Sequence, residues 1–129
     1  MKILLDTHIW LWMIDDPNRI AANLRRELRN SADELWLSPI STWEILVLAR
    51  KGRIRLRGEL GDWVSTATTP FHEAPLTHEI TLAADQLSLP QRDPADRFLA
   101  ATAKVLGLTL ATADSKLLGL GDIATLANR

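Results

Sequence analysis

"DPADRFLAATAKVLGLTLATADSKL", residues 93–117, carries the grammar of the whole fold in one run. Asp93 stands before Pro94 as an N-cap does before the proline favoured at the first helical position, so a helix opens here and runs to about Leu106. Gly107 closes it, as glycine commonly does just past a helix end. Leu108 to Ala111 then read as a short buried strand, and Asp114 follows three residues past Ala111. A helix that feeds straight into a buried strand is the pattern of a parallel sheet with helical crossovers.

The same pattern extends in both directions. Residues 2–5, 35–37 and 71–76 are further strand candidates, the first ending abruptly on Asp6. Pro17-Asn18 starts a helical stretch in which Ile20, Leu24 and Leu28 form one apolar stripe, with Arg25, Arg26 and Arg29 mostly off it. Ser38-Pro39 opens a helix that runs to about Arg50 and stops at Gly52. Asp62 to Thr69 and Thr77 to Leu87 complete the helical set. Strands alternating with helices predict a three-layer α/β/α sandwich around a central parallel sheet, with residues 1–129 forming a single domain. In such sheets, sites form beyond the carboxyl ends of the strands.

Composition narrows the functions. With 47% hydrophobic and 24% charged residues, 129 residues can bury a core without staples. The net charge of -1 gives no global basic field, so any nucleic-acid contact must come from local patches or bound cations. The absence of cysteine removes disulfides, thiolate catalysis and zinc-thiolate sites. The apolar stretch from Ile3 to Ile14 is interrupted by Asp6 and His8, followed by Asp15-Asp16, and shows no small-residue cleavage site. Neither a signal peptide nor a membrane helix is expected, and the location expected is the cytoplasm. P-loop, dinucleotide-binding and zinc-protease signatures are absent.

Four acids stand out. Asp6 closes a core strand, where a carboxylate is costly unless paired, hydrogen-bonded or metal-bound. Glu44 lies on or beside a stripe of Ile40, Trp43, Val47 and Leu48, and the plainer reading is an acid at the stripe's edge or paired with an arginine. Asp96 sits in a first helical turn, where the dipole favours an anion, yet it shares a face with the small residues Ala100 and Ala103. Asp114 either caps a turn of helix through Lys116 and Leu118 or faces the site. A sheet brings a strand end, a helix face, a helix start and a loop after a strand to one edge. Carboxylates converging there repel, raise one another's pKa and are best stabilised by a hard divalent cation, Mg²⁺ or Mn²⁺. Such a site activates water and stabilises phosphoryl charge, the chemistry of metal-dependent nucleases.

Other residues admit two readings each. Thr7 and Thr112 are placed to hydrogen-bond the acids, although threonines beside strand ends are common for structural reasons. His8, a histidine without partner ligands, reads first as packing or surface. Arg50, Lys51, Arg53, Arg55 and Arg57 either track a phosphate backbone or form a solvated edge, and the alternation with Ile54 and Leu56 favours the edge. Arg97 either pairs with Asp93 or reaches RNA phosphate. Trp10, Trp12, Trp36, Trp43 and Trp63 are expected mostly in the core, with Trp12 and Trp63 as candidate interface residues.

The stretches "LLDTHIWLW", "SPISTWEILVLARKGRI" and "RDPADRFLAATAKVLGLTLATADSKL", in that order and spacing, resemble a PIN domain, and more narrowly the VapC-type ribonuclease toxins of bacterial toxin-antitoxin pairs. The resemblance spans nearly the whole chain. It implies that Asp6, Glu44, Asp96 and Asp114 correspond to the family's acidic metal-binding positions, with Asp93 as cap or support. It also implies Mg²⁺- or Mn²⁺-dependent endonucleolytic cleavage of RNA, a small antitoxin protein that blocks the site, and a homodimer. Two other classes compete: a Mg²⁺ phosphotransfer domain on a similar sheet, and a protein-binding module whose acids are only caps and ion pairs. The phosphotransfer reading fits less well, because His8 stands where a DxD signature needs a second acid.

Overall fold

A computed structural model describes residues 1–89 and 93–129, so Arg92, the first residue of the late motif, lies outside the described residues. The elements in chain order are β1 (Lys2–Leu5), α1 (Thr7–Asp15), a 3-10 turn (Pro17–Arg19), α2 (Ala22–Leu28), β2 (Glu34–Leu37), α3 (Pro39–Arg50) and α4 (Leu60–Thr68). Then follow β3 (His72–Glu73), α5 (His78–Asp85), α6 (Pro94–Leu106), β4 (Thr109–Thr112), α7 (Ser115–Leu118) and β5 (Thr125–Ala127). The strands form one parallel sheet in the order β3-β2-β1-β4-β5. Chain order therefore reverses at β1, which pairs with β2 on one side and β4 on the other.

Alternation along the central strand divides the core in two. Leu4 points to one face, with Leu110, Leu99, Ala100 and Ile80. Ile3 and Leu5 point to the other, with Ile9, Trp10, Leu24 and Ile45. Strands apolar on both sides need helices over both, which gives the α/β/α layering expected. No helix among the described residues is long and apolar enough to cross a membrane.

The start signals of α3 and α6 hold to the residue. Ser38 Oγ accepts from Ile40 N at 3.1 Å, and Asp93 accepts from Ala95 N at 3.1 Å and Asp96 N at 3.4 Å. Gly107 ends α6 in the left-handed region at φ 66°, a conformation that a side chain disfavours. Other boundaries shift. The third strand is two residues long rather than six: Ala74 N extends its ladder by one bond to Leu37 O at 2.9 Å, and Pro75 has no N–H to continue. The stretch from Pro17 breaks at Ile20, where Asn128 bridges Ala21 N (2.7 Å) and Arg19 O (3.0 Å), although Ile20, Leu24 and Leu28 all stay buried. The fourth helix starts earlier than Asp62, because Glu59 accepts from Gly61 N (2.8 Å) and Asp62 N (2.9 Å).

Two expectations about side chains are corrected. The tryptophans are not mostly core: Trp10 is buried, whereas Trp43 is 51% exposed and Trp12, Trp36 and Trp63 are half-buried. The buried stripe of α3 is accordingly Ser41 and Ile45 rather than one that includes Trp43. Arg97 reaches neither Asp93 nor solvent. It is buried and donates to the carbonyls of Ala84 (2.6 Å), Leu87 (3.1 Å) and Leu89, where α5 ends with carbonyls lacking helical partners. A guanidinium there also complements the negative end of the helix dipole. Arg53, Arg55 and Arg57 point outward while Ile54 and Leu56 pack on the core, the solvated-edge arrangement.

Candidate active site

The site forms where the topology reverses, beyond the carboxyl ends of β1 and β4. Asp6 N bonds to Ala111 O at 2.9 Å, extending the β1–β4 ladder by one step before the chain turns into α1. The Asp6 side chain caps that helix by accepting from Thr7 N at 2.8 Å. Its second oxygen accepts from the Thr112 hydroxyl at 2.5 Å, so both carboxylate oxygens are engaged. Asp6 is 6% exposed, which makes these two bonds necessary: a buried carboxylate without donors is strongly disfavoured.

Two threonines tie the acids together. Thr112 Oγ1 also accepts from Asp114 N at 3.0 Å, fixing the loop that carries Asp114. Asp114 itself accepts from Lys116 N at 2.8 Å and caps α7, so its capping role is real and leaves its second oxygen free of that bond. Thr7 Oγ1 donates to Glu44 Oε1 and lies 2.8 Å from Ser41 Oγ. Glu44 is thus half-buried and hydrogen-bonded by a threonine, and among the described residues it pairs with no arginine. The sequence admits both readings of Thr7 and Thr112 and does not single out Ser41. The available signal was a serine three residues before Glu44, a polar residue on the helix face that would otherwise be apolar.

Asp96 joins through charge rather than contact. Burial raises its pKa first, followed by Asp93, Asp6, Asp114 and Glu44, and together they push it up to about 7. Burial also raises Asp6, opposed by the Thr112 and Thr7 hydrogen bonds. Glu44 is raised by burial too, opposed by Thr7 and then raised by Asp93 and Asp6. Asp93, Asp6, Asp114 and Glu44 thus all lie near enough to Asp96 for their charge to act on it, with Asp93 the cap of α6. Among the described residues, no group of three or more His, Cys, Asp or Glu is drawn into contact close enough to grip an ion.

The donor set tests what would fit. It consists of carboxylate and hydroxyl oxygens, without thiolate. Hard divalent cations of the magnesium and manganese type take such oxygen ligands and offset the repulsion that raises Asp96. Oxygen donors of this kind match the ligand preference of a hard divalent cation, the group that activates water and stabilises phosphoryl charge in metal-dependent hydrolysis.

A family model described as PIN domain matches residues 3–122. Ribonuclease VapC22 of Mycobacterium tuberculosis is 32% identical over 118 residues, covering 89% of this chain and 88% of that protein. Among solved structures, VapBC2 of Rickettsia felis bound to a DNA fragment from its promoter superposes with a TM-score of 0.74 at 15% identity, covering 98% of both chains. DNA-bound VapBC of Salmonella typhimurium gives 0.73 at 16% identity over 100% of this chain and 99% of that one. FitAcB of Neisseria gonorrhoeae gives 0.70 at 22% identity, covering 98% of this chain and 97% of that one.

Proposed function

The chain belongs to the PIN domain family, in its VapC branch, and from that premise we propose that it is an endoribonuclease whose divalent cation is held by Asp6, Glu44, Asp96 and Asp114. The observation that supports this reading is the convergence of the four acids at the carboxyl edge of β1 and β4, tied by Thr7 and Thr112. When bound, Mg²⁺ or Mn²⁺ supplies an activated water and charge stabilisation at the phosphoryl group.

The chain's own residues prepare the site. Thr112 and the Thr7 N–H hold Asp6 in one orientation and favour its charged form. The Thr7 hydroxyl turns Glu44 towards the same edge. Asp96, pushed up to about 7, is about half protonated at neutral pH, and a bound cation would favour its charged form. Residues 1–129 act as one nuclease domain, and the partner in the cell is a small antitoxin protein that blocks the site, a reading supported by the likeness to the VapBC structures. A homodimer and a cytoplasmic location belong to the same reading.

The test is cleavage of a structured RNA by the purified chain with Mg²⁺ or Mn²⁺, with chelator and Asp6→Asn as controls. Asparagine keeps an oxygen for the Thr7 N–H, so the cap of α1 survives while the charge is lost. Cleavage is expected with metal and lost in both controls. Full activity of the variant would overturn the assignment.

A further inference from the structure

We propose that His8, Trp12 and Arg19 form a stacking track for single-stranded RNA that leads away from the acids along α1, an inference that rests on the endoribonuclease reading. The helix starts at Asp6, and His8 and Trp12 occupy successive turns of one face. His8 is exposed, and its ring centroid lies 6.0 Å from that of Trp12. Trp12 packs one side on the core, and the Arg19 guanidinium carbon sits 4.5 Å from its ring centroid. The result is a continuous run of imidazole, indole and guanidinium, with its first member beside the acids and its last fully at the surface.

Stacking is what such a substrate would need here. The strongest influences on Asp6, Glu44 and Asp96 are burial, hydrogen bonds, other carboxylates and His8, with no lysine or arginine among them. Among the described residues no lysine or arginine side chain pairs with these acids, and a stacking surface alongside them supplies affinity for the bases. Unpaired RNA bases stack on aromatic rings and arginine planes independently of sequence. Arg19 is exposed and lays its flat guanidinium over the Trp12 ring. Among the described residues it pairs with no carboxylate, and the indole beneath pre-orders its plane. His8 needs no charge for this role.

The test measures binding of a single-stranded oligoribonucleotide without cleavage, in an Asp96→Asn background, alongside kcat and KM for cleavage in the otherwise native chain. His8→Ala and Arg19→Ala are each expected to weaken binding and raise KM about tenfold with kcat changed little, as loss of one stacking partner does. Arg29→Ala, an exposed charge removed elsewhere, should stay within about twofold. Manganese affinity of His8→Ala, measured by calorimetry without RNA, should match that of the native chain. Native-like RNA affinity in both track variants, with cleavage by the wild type intact, would overturn the track and spare the nuclease. Loss of binding to a partner protein alone, with RNA affinity kept, would overturn the track in the same way. A wild type that neither binds nor cleaves RNA would overturn both, whereas binding that the variants weaken, without cleavage, would leave the track and remove the nuclease.

Discussion

At the scale of single residues, the site depends on hydroxyls that look incidental in the sequence. Thr112 donates to Asp6 and accepts from Asp114 N, so Thr112→Val removes a buried carboxylate's donor and frees the loop. Partners of this kind typically contribute about 10- to 100-fold to metal affinity, and a loss of about that size in Mn²⁺ titration is expected. Asp96 gives a pH prediction with a definite sign. Its folded pKa of about 7 lies above the ordinary value of 3.8, so the metal-free folded state holds a proton that the unfolded state releases. That contribution to stability is present below about pH 4 and lost as pH rises through about 7. The metal-free protein should therefore melt at lower temperature at pH 8 than at pH 5, and Asp96→Asn should flatten the difference. An unchanged slope in the variant would show that another group carries it. Asp6 stood out in the sequence because it closes a core strand, where a carboxylate needs a reason, whereas Asp96 and Asp114 also read as first-turn and capping acids. Ser41 did not stand out, since serine is ordinary in a helix and its role appears only when Thr7 of another element faces it.

Elements were most legible where their ends are written in local chemistry. Ser38-Pro39 and Asp93-Pro94 opened α3 and α6 where the capping rules put them, and Gly107 closed the latter. Gly107→Ala should cost about 1 kcal/mol in denaturant unfolding, from backbone strain alone, because nothing lies within 4 Å of an added Cβ. Elements set by tertiary contacts were misread or missed. The helix α1 hid inside an apolar run because its cap, Asp6, is also a site residue. The strand β5 is three residues long and exists through its pairing with β4, which no local pattern announces. Arg97 is the strongest case: its surroundings suggested surface or ligand, and the fold instead uses it to bind the end of α5 to α6. Arg97→Leu removes the side-chain donor from all three carbonyls, leaving Ala84 O and Leu87 O only the backbone N–H groups of Leu87 (3.4 Å) and Leu89 (3.0 Å), and should destabilise the protein by about 1–3 kcal/mol, read by chemical denaturation. A loss below about 0.5 kcal/mol would mean that other donors serve that helix end.

For the whole molecule, strand order reverses at β1, and the four acids proposed as the cation site stand on a strand end, two helices and the loop after β4. The architecture was readable from alternation alone, because strands apolar on both faces permit few alternatives to a covered parallel sheet. What the sequence could not convey is which hydroxyl serves which acid: Thr7 donates to Glu44 and Thr112 to Asp6, each across two elements. The central claim is that the four carboxylates act as one cation site. Calorimetric titration of Mn²⁺ into the purified chain at pH 8, with Asp96→Asn measured beside it, tests that claim most directly. Saturable binding by the native chain is expected, lost by the variant or weakened at least about tenfold; no binding, or equal binding by both, would contradict it.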